Sequence, residues 1–106
     1  MKQEFGAMNY RDEYDSPAGG YVTGVGLSIV WQKGPLVVDG VRVNPNGAFV
    51  ETVIAAAVQR IEEYQDSKFA CDENHNALIY LDLALASLES RTKAREARGV
   101  EGTHTV

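Results

Sequence analysis

Cysteine is almost missing from this chain: Cys71 is the single one among 106 residues. An intramolecular disulfide is excluded, as is a metal site built on several thiolates, and the composition fits a reducing compartment. Histidine is nearly as scarce. His75 and His104 form neither an i, i+4 pair nor an HExxH motif, which removes the usual helical zinc-hydrolase signature. The glycine-rich stretch GGYVTGVGLSIVW, residues 19–31, lacks the Gly-Lys-Ser/Thr ending of a phosphate loop. Positive charge is also in deficit. Ten Lys and Arg face fifteen Asp and Glu, a net charge of -5, which disfavours non-specific binding to DNA or RNA. No apolar run approaches membrane-spanning length, and the opening MKQEFGAMNYRDEYDS has no apolar h-region. The chain is expected to be cytosolic and soluble, in contact with neither DNA nor membrane.

What the chain does have is helical periodicity in its second half. Between Phe69 and Arg98, Ala77, Leu81, Ala84 and Leu88 step along one helix face. The rhythm continues through Arg91, Arg95 and Arg98, so an apolar stripe turns into an arginine stripe. Four of the ten cations lie between Arg91 and Arg98, opposed only by Glu96. Two readings are open. The arginines point at a partner subunit or an anion held between subunits, or the helix outruns its partner into water with cations favoured by its dipole. Upstream, Val50, Ile54, Ala57, Ile61 and Tyr64 hold one face of a helix over about 46–65, with Phe49 and Val53 beside it and Asn46 as its cap. The run Ala55-Ala56-Ala57 favours helix and lets a neighbour approach closely. Asp66-Ser67-Lys68 is a short connector, Ser67 can cap a second helix over about 69–98, and Gly99 ends it. An antiparallel helical hairpin is predicted.

Residues 19–43 read as short strands. Gly19–Trp31 is rich in β-branched and aromatic residues, and LVVDGVRV, residues 36–43, carries the tight-turn dipeptide Asp39-Gly40. The fold class is α+β: short N-terminal antiparallel strands, about 20–43, followed by the hairpin, together forming a single domain over 19–106. Residues 1–18 are polar and acidic without a sustained period and read as an arm, disordered or laid along a neighbour. A chain this small buries a modest share of its surface, so a dimer at least is expected.

Candidate site residues follow from the hairpin. Tyr64 ends one helix and Asn74 opens the next, so both lie at the tip. A flat ring beside an amide suits a nucleobase or ribose edge, or else the asparagine serves an ordinary cap network. Arg91 lies 17 residues beyond Asn74, about 25 Å along one helix, so one small ligand cannot reach both within a protomer. Repeated by symmetry, the arginines suit a ligand with several phosphates. Catalysis is disfavoured. Cys71 has no flanking base, and Asp72 and Glu73 are the acidic pair that a helix's first turn commonly carries.

The segments GYVTGVGLSIVWQKGP, NPNGAFVETVI, KFACDENHNAL and RTKAREARGVEGTH resemble the phage Thoeris anti-defence sponge family of the first-described type, whose helical hairpin is shared with anti-CBASS cyclic-nucleotide sponges. The resemblance spans about Gly19 to the C-terminus. It implies strands followed by two antiparallel helices, assembled as homodimers and further into homohexamers. It implies a protein without enzymatic activity or cofactor, working in the infected bacterial cytoplasm. Such a protein sequesters the cyclic ADP-ribose isomers made by TIR-domain Thoeris proteins and holds cyclic di- and trinucleotides at separate sites. By position, the resemblance puts Tyr64 and Asn74 in the cyclic ADP-ribose pocket, with Arg42 as the strand-borne arginine and Trp31 as a wall. It puts Arg91 and Arg95 on the phosphates of cyclic oligonucleotides. The alternative is a helical-hairpin adaptor that binds a protein partner and no nucleotide.

Overall fold

The computed structural model describes all 106 residues, Met1–Val106. The chain divides into two compact units, one of residues 1–49 with 100–106 and one of residues 50–99. The strands lie in the first unit and the two helices in the second. No helix is long and apolar enough to cross a membrane.

In the first unit, β1 (Phe5–Arg11), β2 (Pro17–Gly24) and β3 (Leu27–Trp31) form an antiparallel sheet in that order. Met8, Tyr21 and Val30 lie opposite one another across the three strands. The N-terminal arm is thus a strand over residues 5–11. Backbone pairing with β2 holds it, and every β1 side chain is exposed, so no alternation of apolar and polar residues marks it. Its turn is built by the Asp12 carboxylate, whose Oδ1 accepts from Tyr14 N and Ser16 N, both at 2.9 Å. Those bonds to the ionised form hold the Asp12 carboxyl below its ordinary range, with the Ser16 amide as the main cause. Gly20 is a forced glycine. Its φ is 146°, and a Cβ there would run into the Met8 carbonyl of β1.

A second hairpin pairs β4 (Val37–Val38) with β5 (Val41–Arg42). Asp39 and Gly40 both have positive φ, 52° and 76°, the backbone of a type I′ turn as the dipeptide predicts. The C-terminal segment returns to this hairpin and is no loose tail. Leu36 N and Val37 N both donate to Gly102 O, at 2.7 and 3.0 Å. Arg42 forks onto Glu101, at 2.5 and 3.2 Å.

The second unit holds α1 (Val50–Gln65) packed on α2 (Asp72–Ala97). Both helices start later than their local signals suggest. Asn46 caps nothing: its Oδ1 accepts from Lys33 N and its Nδ2 donates to Lys33 O, each at 2.8 Å. Ser67 is taken up within the connector, donating to Tyr64 O and accepting from Phe69 N. The residue before α2 is Cys71, without a side-chain cap. Gln65 instead clasps the Cys71 backbone through both its amide atoms. At the far end Gly99, φ 73°, donates to Glu96 O and closes the helix as predicted.

No hydrophobic side chain is buried in either unit. The chain leaves 8207 Å² accessible. A compact monomer of its mass exposes about 5,800 Å², and two separate compact units of half that mass about 7,000 Å² in total. The half-buried row of α1 is Glu51, Ile54, Val58, Ile61 and Gln65. Ile54 and Ile61 are therefore placed as expected, while Val50, Ala57 and Tyr64 are exposed. On α2 the half-buried row passes through Asn74, Ala77, Leu81, Ala84 and Leu88 and continues through Thr92 and Arg95. Arg91 and Arg98 are exposed. At about 100° per residue, Arg95 returns to within about 20° of Leu88, whereas Arg91 and Arg98 lie about 60° and 80° to the side. One guanidinium continues the row, not three.

Candidate functional site

Three places carry recognisable binding chemistry. The first is a cleft on the β-sheet of about 430 Å³. Tyr10 and Tyr21 form its aromatic side, with ring centroids 6.5 Å apart and planes tilted by 55°. Trp31 and Val30 of β3 line it from the other strand, Gly19 and Gly20 lie between, and Arg11 and Lys33 bring the cations. The backbone around Trp31 is fixed by a parallel bridge to Ala48. Gln32 N donates to Ala48 O at 3.0 Å, and Ala48 N donates to Val30 O at 2.7 Å. Gly47 permits this approach, because a Cβ there would strike the Trp31 carbonyl group.

The second place is the connector end of the helical hairpin. Tyr64 is 41% exposed, and the Arg60 guanidinium lies 5.1 Å from its ring centroid. Arg60 Nε also donates to the Tyr64 hydroxyl at 3.3 Å. This pair turns one aromatic face into a cation-backed surface. Asn74 is half-buried in the first turn of α2, and its Nδ2 donates to Phe69 O at 3.4 Å. That bond is long, and the amide oxygen remains an acceptor for an incoming donor.

The third place is the last stretch of α2. This helix is ten residues longer than α1, 26 against 16, so about 15 Å of it has no α1 alongside. Arg91, Lys93 and Arg95 belong to this stretch, where Lys93 makes a long contact of 3.9 Å with Glu89. Cations toward the C-terminal end also meet the negative pole of the helix.

The six expected site residues are therefore distributed as follows. Tyr64 and Asn74 occupy the adjoining ends of α1 and α2, and Arg91 and Arg95 lie 17 and 21 residues beyond Asn74 on the same helix. Trp31 lines the sheet cleft. Arg42 sits on β5 with its guanidinium engaged by Glu101, and the cations at the cleft are Arg11 and Lys33 instead. Sequence reasoning missed Tyr10, Arg11, Tyr21 and Lys33. Their only advance signal was the density of aromatics flanking Gly19-Gly20. No group of three His, Cys, Asp or Glu side chains comes together in a way that could ligate a metal.

No protein-family model matches the chain. Over 77 residues it is 42% identical to Thoeris anti-defense 1 of Bacillus phage SBSphiJ7, an alignment covering 73% of the chain and 51% of that protein. The chain thus spans about half the length of the curated relative it matches. With nearly three quarters of its residues aligned at that identity, the chain belongs to the Thoeris anti-defence family.

Proposed function

We propose that this protein is a phage anti-defence sponge. It binds the cyclic ADP-ribose isomers made by TIR-domain Thoeris proteins and holds them uncleaved, so that the signal never reaches its effector. The observation that carries this reading is the 42% identity to a phage protein named for anti-defence against Thoeris. Tyr64 provides the stacking face, backed by Arg60, and Asn74 reads a polar edge of the ligand. A sponge acts by stoichiometry, so slow release matters more than fast capture. Stacking together with charge-assisted hydrogen bonds favours that slow release.

A second ligand class, cyclic di- and trinucleotides, goes to Arg91 and Arg95. Helix rise puts them about 25 and 32 Å from Asn74, which supports a separate site. Assembly into homodimers and then homohexamers brings copies of these arginines together. The 8207 Å² of accessible surface and the lack of any buried hydrophobic side chain support such an assembly, because association supplies the burial that the single chain leaves out. Calorimetric titration with each cyclic nucleotide, followed by heating and chromatography of the released ligand, tests the proposal. Tight stoichiometric binding and recovery of intact cyclic ligand are expected. Recovery of a linear product refutes sequestration, and absence of binding to every cyclic nucleotide refutes the sponge.

A further inference from the structure

β1 is an open edge of its sheet, and nothing in the function proposed above uses it. We infer that β1 pairs antiparallel with β1 of a second copy, about a two-fold axis between the two Ala7 residues, so that two three-stranded sheets become one of six strands. The inference deepens the assembly reading by naming one seam of it, and it is independent of ligand binding.

The two edges of the sheet are not alike. β3, on the far side of the order β1-β2-β3, is partly covered where Trp31 bridges Ala48. β1 has no such cover, and all seven of its residues are exposed. It also lacks the devices that blunt an edge, with no proline in the strand and no charged residue from Phe5 to Tyr10. Its register with β2 is regular from Phe5 to Asn9 and shifts only between Asn9 and Arg11. Phe5 and Met8 are exposed large apolar residues, and their alternation puts one on each face of the sheet beside this edge.

Backbone direction fixes what the edge offers. A Cβ on Gly20 would strike Met8 O, and one on Gly24 would come within 3.2 Å of Glu4 O. The Met8 and Glu4 carbonyls therefore point toward β2. Along an antiparallel strand, alternate residues turn their N–H and C=O to opposite sides. Phe5, Ala7 and Asn9 thus turn theirs away from β2, where no other segment of the chain bonds to them. An identical strand answers all three. With Ala7 opposite the partner's Ala7, Phe5 meets the partner's Asn9 and Asn9 meets the partner's Phe5. That pairing makes about six hydrogen bonds, all within the regular stretch. Gly6 then lies beside the partner's Met8, Glu4 beside the partner's Tyr10 and Gln3 beside the partner's Arg11, so no like charges are opposed. Moving the axis to Met8 would set Glu4 against the partner's Asp12 and carry the pairing into the irregular end of β1.

Cysteine placed on the axis tests the seam in the full chain, with Cys71→Ser removing the native thiol. Ala7→Cys sets the two Cα atoms about 5.5 Å apart, inside the range of roughly 4.4–6.8 Å that a disulfide spans. Phe5→Cys sets them about 14 Å apart. Mild oxidation should link most Ala7→Cys chains into covalent dimers, and Phe5→Cys chains at least about tenfold more slowly. Ala7→Pro removes only an outward N–H from each β1. It should weaken association at least about tenfold in sedimentation velocity, with circular dichroism retained. No covalent dimer from Ala7→Cys, the result expected of a foreign strand on β1 or of an edge left open, overturns the inference. So does equal linking by both cysteines, or unchanged association in Ala7→Pro. Calorimetric titration of the unmodified chain reads sequestration separately, so failure of the seam and failure of the sponge are distinguishable.

Discussion

Leu83→Glu should dissociate the proposed homo-oligomer while leaving the hairpin folded. On α2 the residues turned away from α1 include Ile79, Tyr80 and Leu83, exposed by 44%, 69% and 60%. Between Asn76 and Ser90 this face continues through Ala86 and Ser87 without a charged residue, over an arc of about 120°. An uncharged, partly aromatic helix face of this kind is what a second copy would cover. Burying the exposed part of one Leu83 stabilises by about 1–2 kcal/mol. In a two-fold interface the residue counts twice, giving about 2–4 kcal/mol. Glutamate removes that term and brings two like carboxylates into a desolvated surface, at a further cost of a few kcal/mol. A combined loss of at least about 4 kcal/mol lowers the association constant roughly a thousandfold. Glutamate is as good a helix former as leucine to within a few tenths of a kcal/mol, so circular dichroism should stay unchanged. Sedimentation velocity at several concentrations reads the result. A variant that sediments like the parent oligomer, or a parent that is monomeric at every concentration, refutes the assignment of this face.

The two-site arrangement predicts opposite losses. Tyr64→Ala or Asn74→Ala should abolish cyclic ADP-ribose binding and spare cyclic trinucleotides, and Arg91→Ala with Arg95→Ala should do the reverse. Calorimetry on each variant checks this, and loss of both ligands from an intact assembly would show one shared site. Gly20→Ala should lower stability by about 2 kcal/mol or more, because its Cβ meets the Met8 carbonyl and its φ of 146° is outside the range of alanine; a melting temperature within a degree or so of the parent would contradict the β1–β2 packing. Asp12 has a folded-state pKa below its ordinary value, so its contribution to stability is complete at neutral pH and is lost as pH falls through that lowered value. Asp12→Asn should therefore narrow its stability gap to the parent only below about pH 4, and a gap that stays constant from neutral pH into acid would exclude the carboxylate as the turn's organiser.

The helical hairpin was legible because its apolar residues repeat at helical spacing, and Asp39-Gly40 and Gly99 were legible because each needs a left-handed backbone. What escaped was decided by distance along the chain. Asn46 looks like a cap locally, but its side chain is taken by Lys33, thirteen residues upstream. Arg42 looks like a lone strand cation, yet its partner Glu101 is 59 residues away. β1 left no pattern because neither of its faces is covered, and alternation records burial, not pairing. The arginine stripe misled for a geometric reason: steps of three and four define a row only while their sum keeps pace with 3.6 residues per turn. The sheet cleft draws on β1, β2, β3 and the segment after it, so no single window of sequence contains it.

The most direct measurement of the central claim is native mass spectrometry of the protein purified from cells in which TIR-domain Thoeris signalling is active. The account predicts an added mass of one cyclic ADP-ribose isomer per site, released on heating with its ring intact. Protein that emerges without bound nucleotide, and stays silent in calorimetry against every cyclic ADP-ribose isomer, would contradict it.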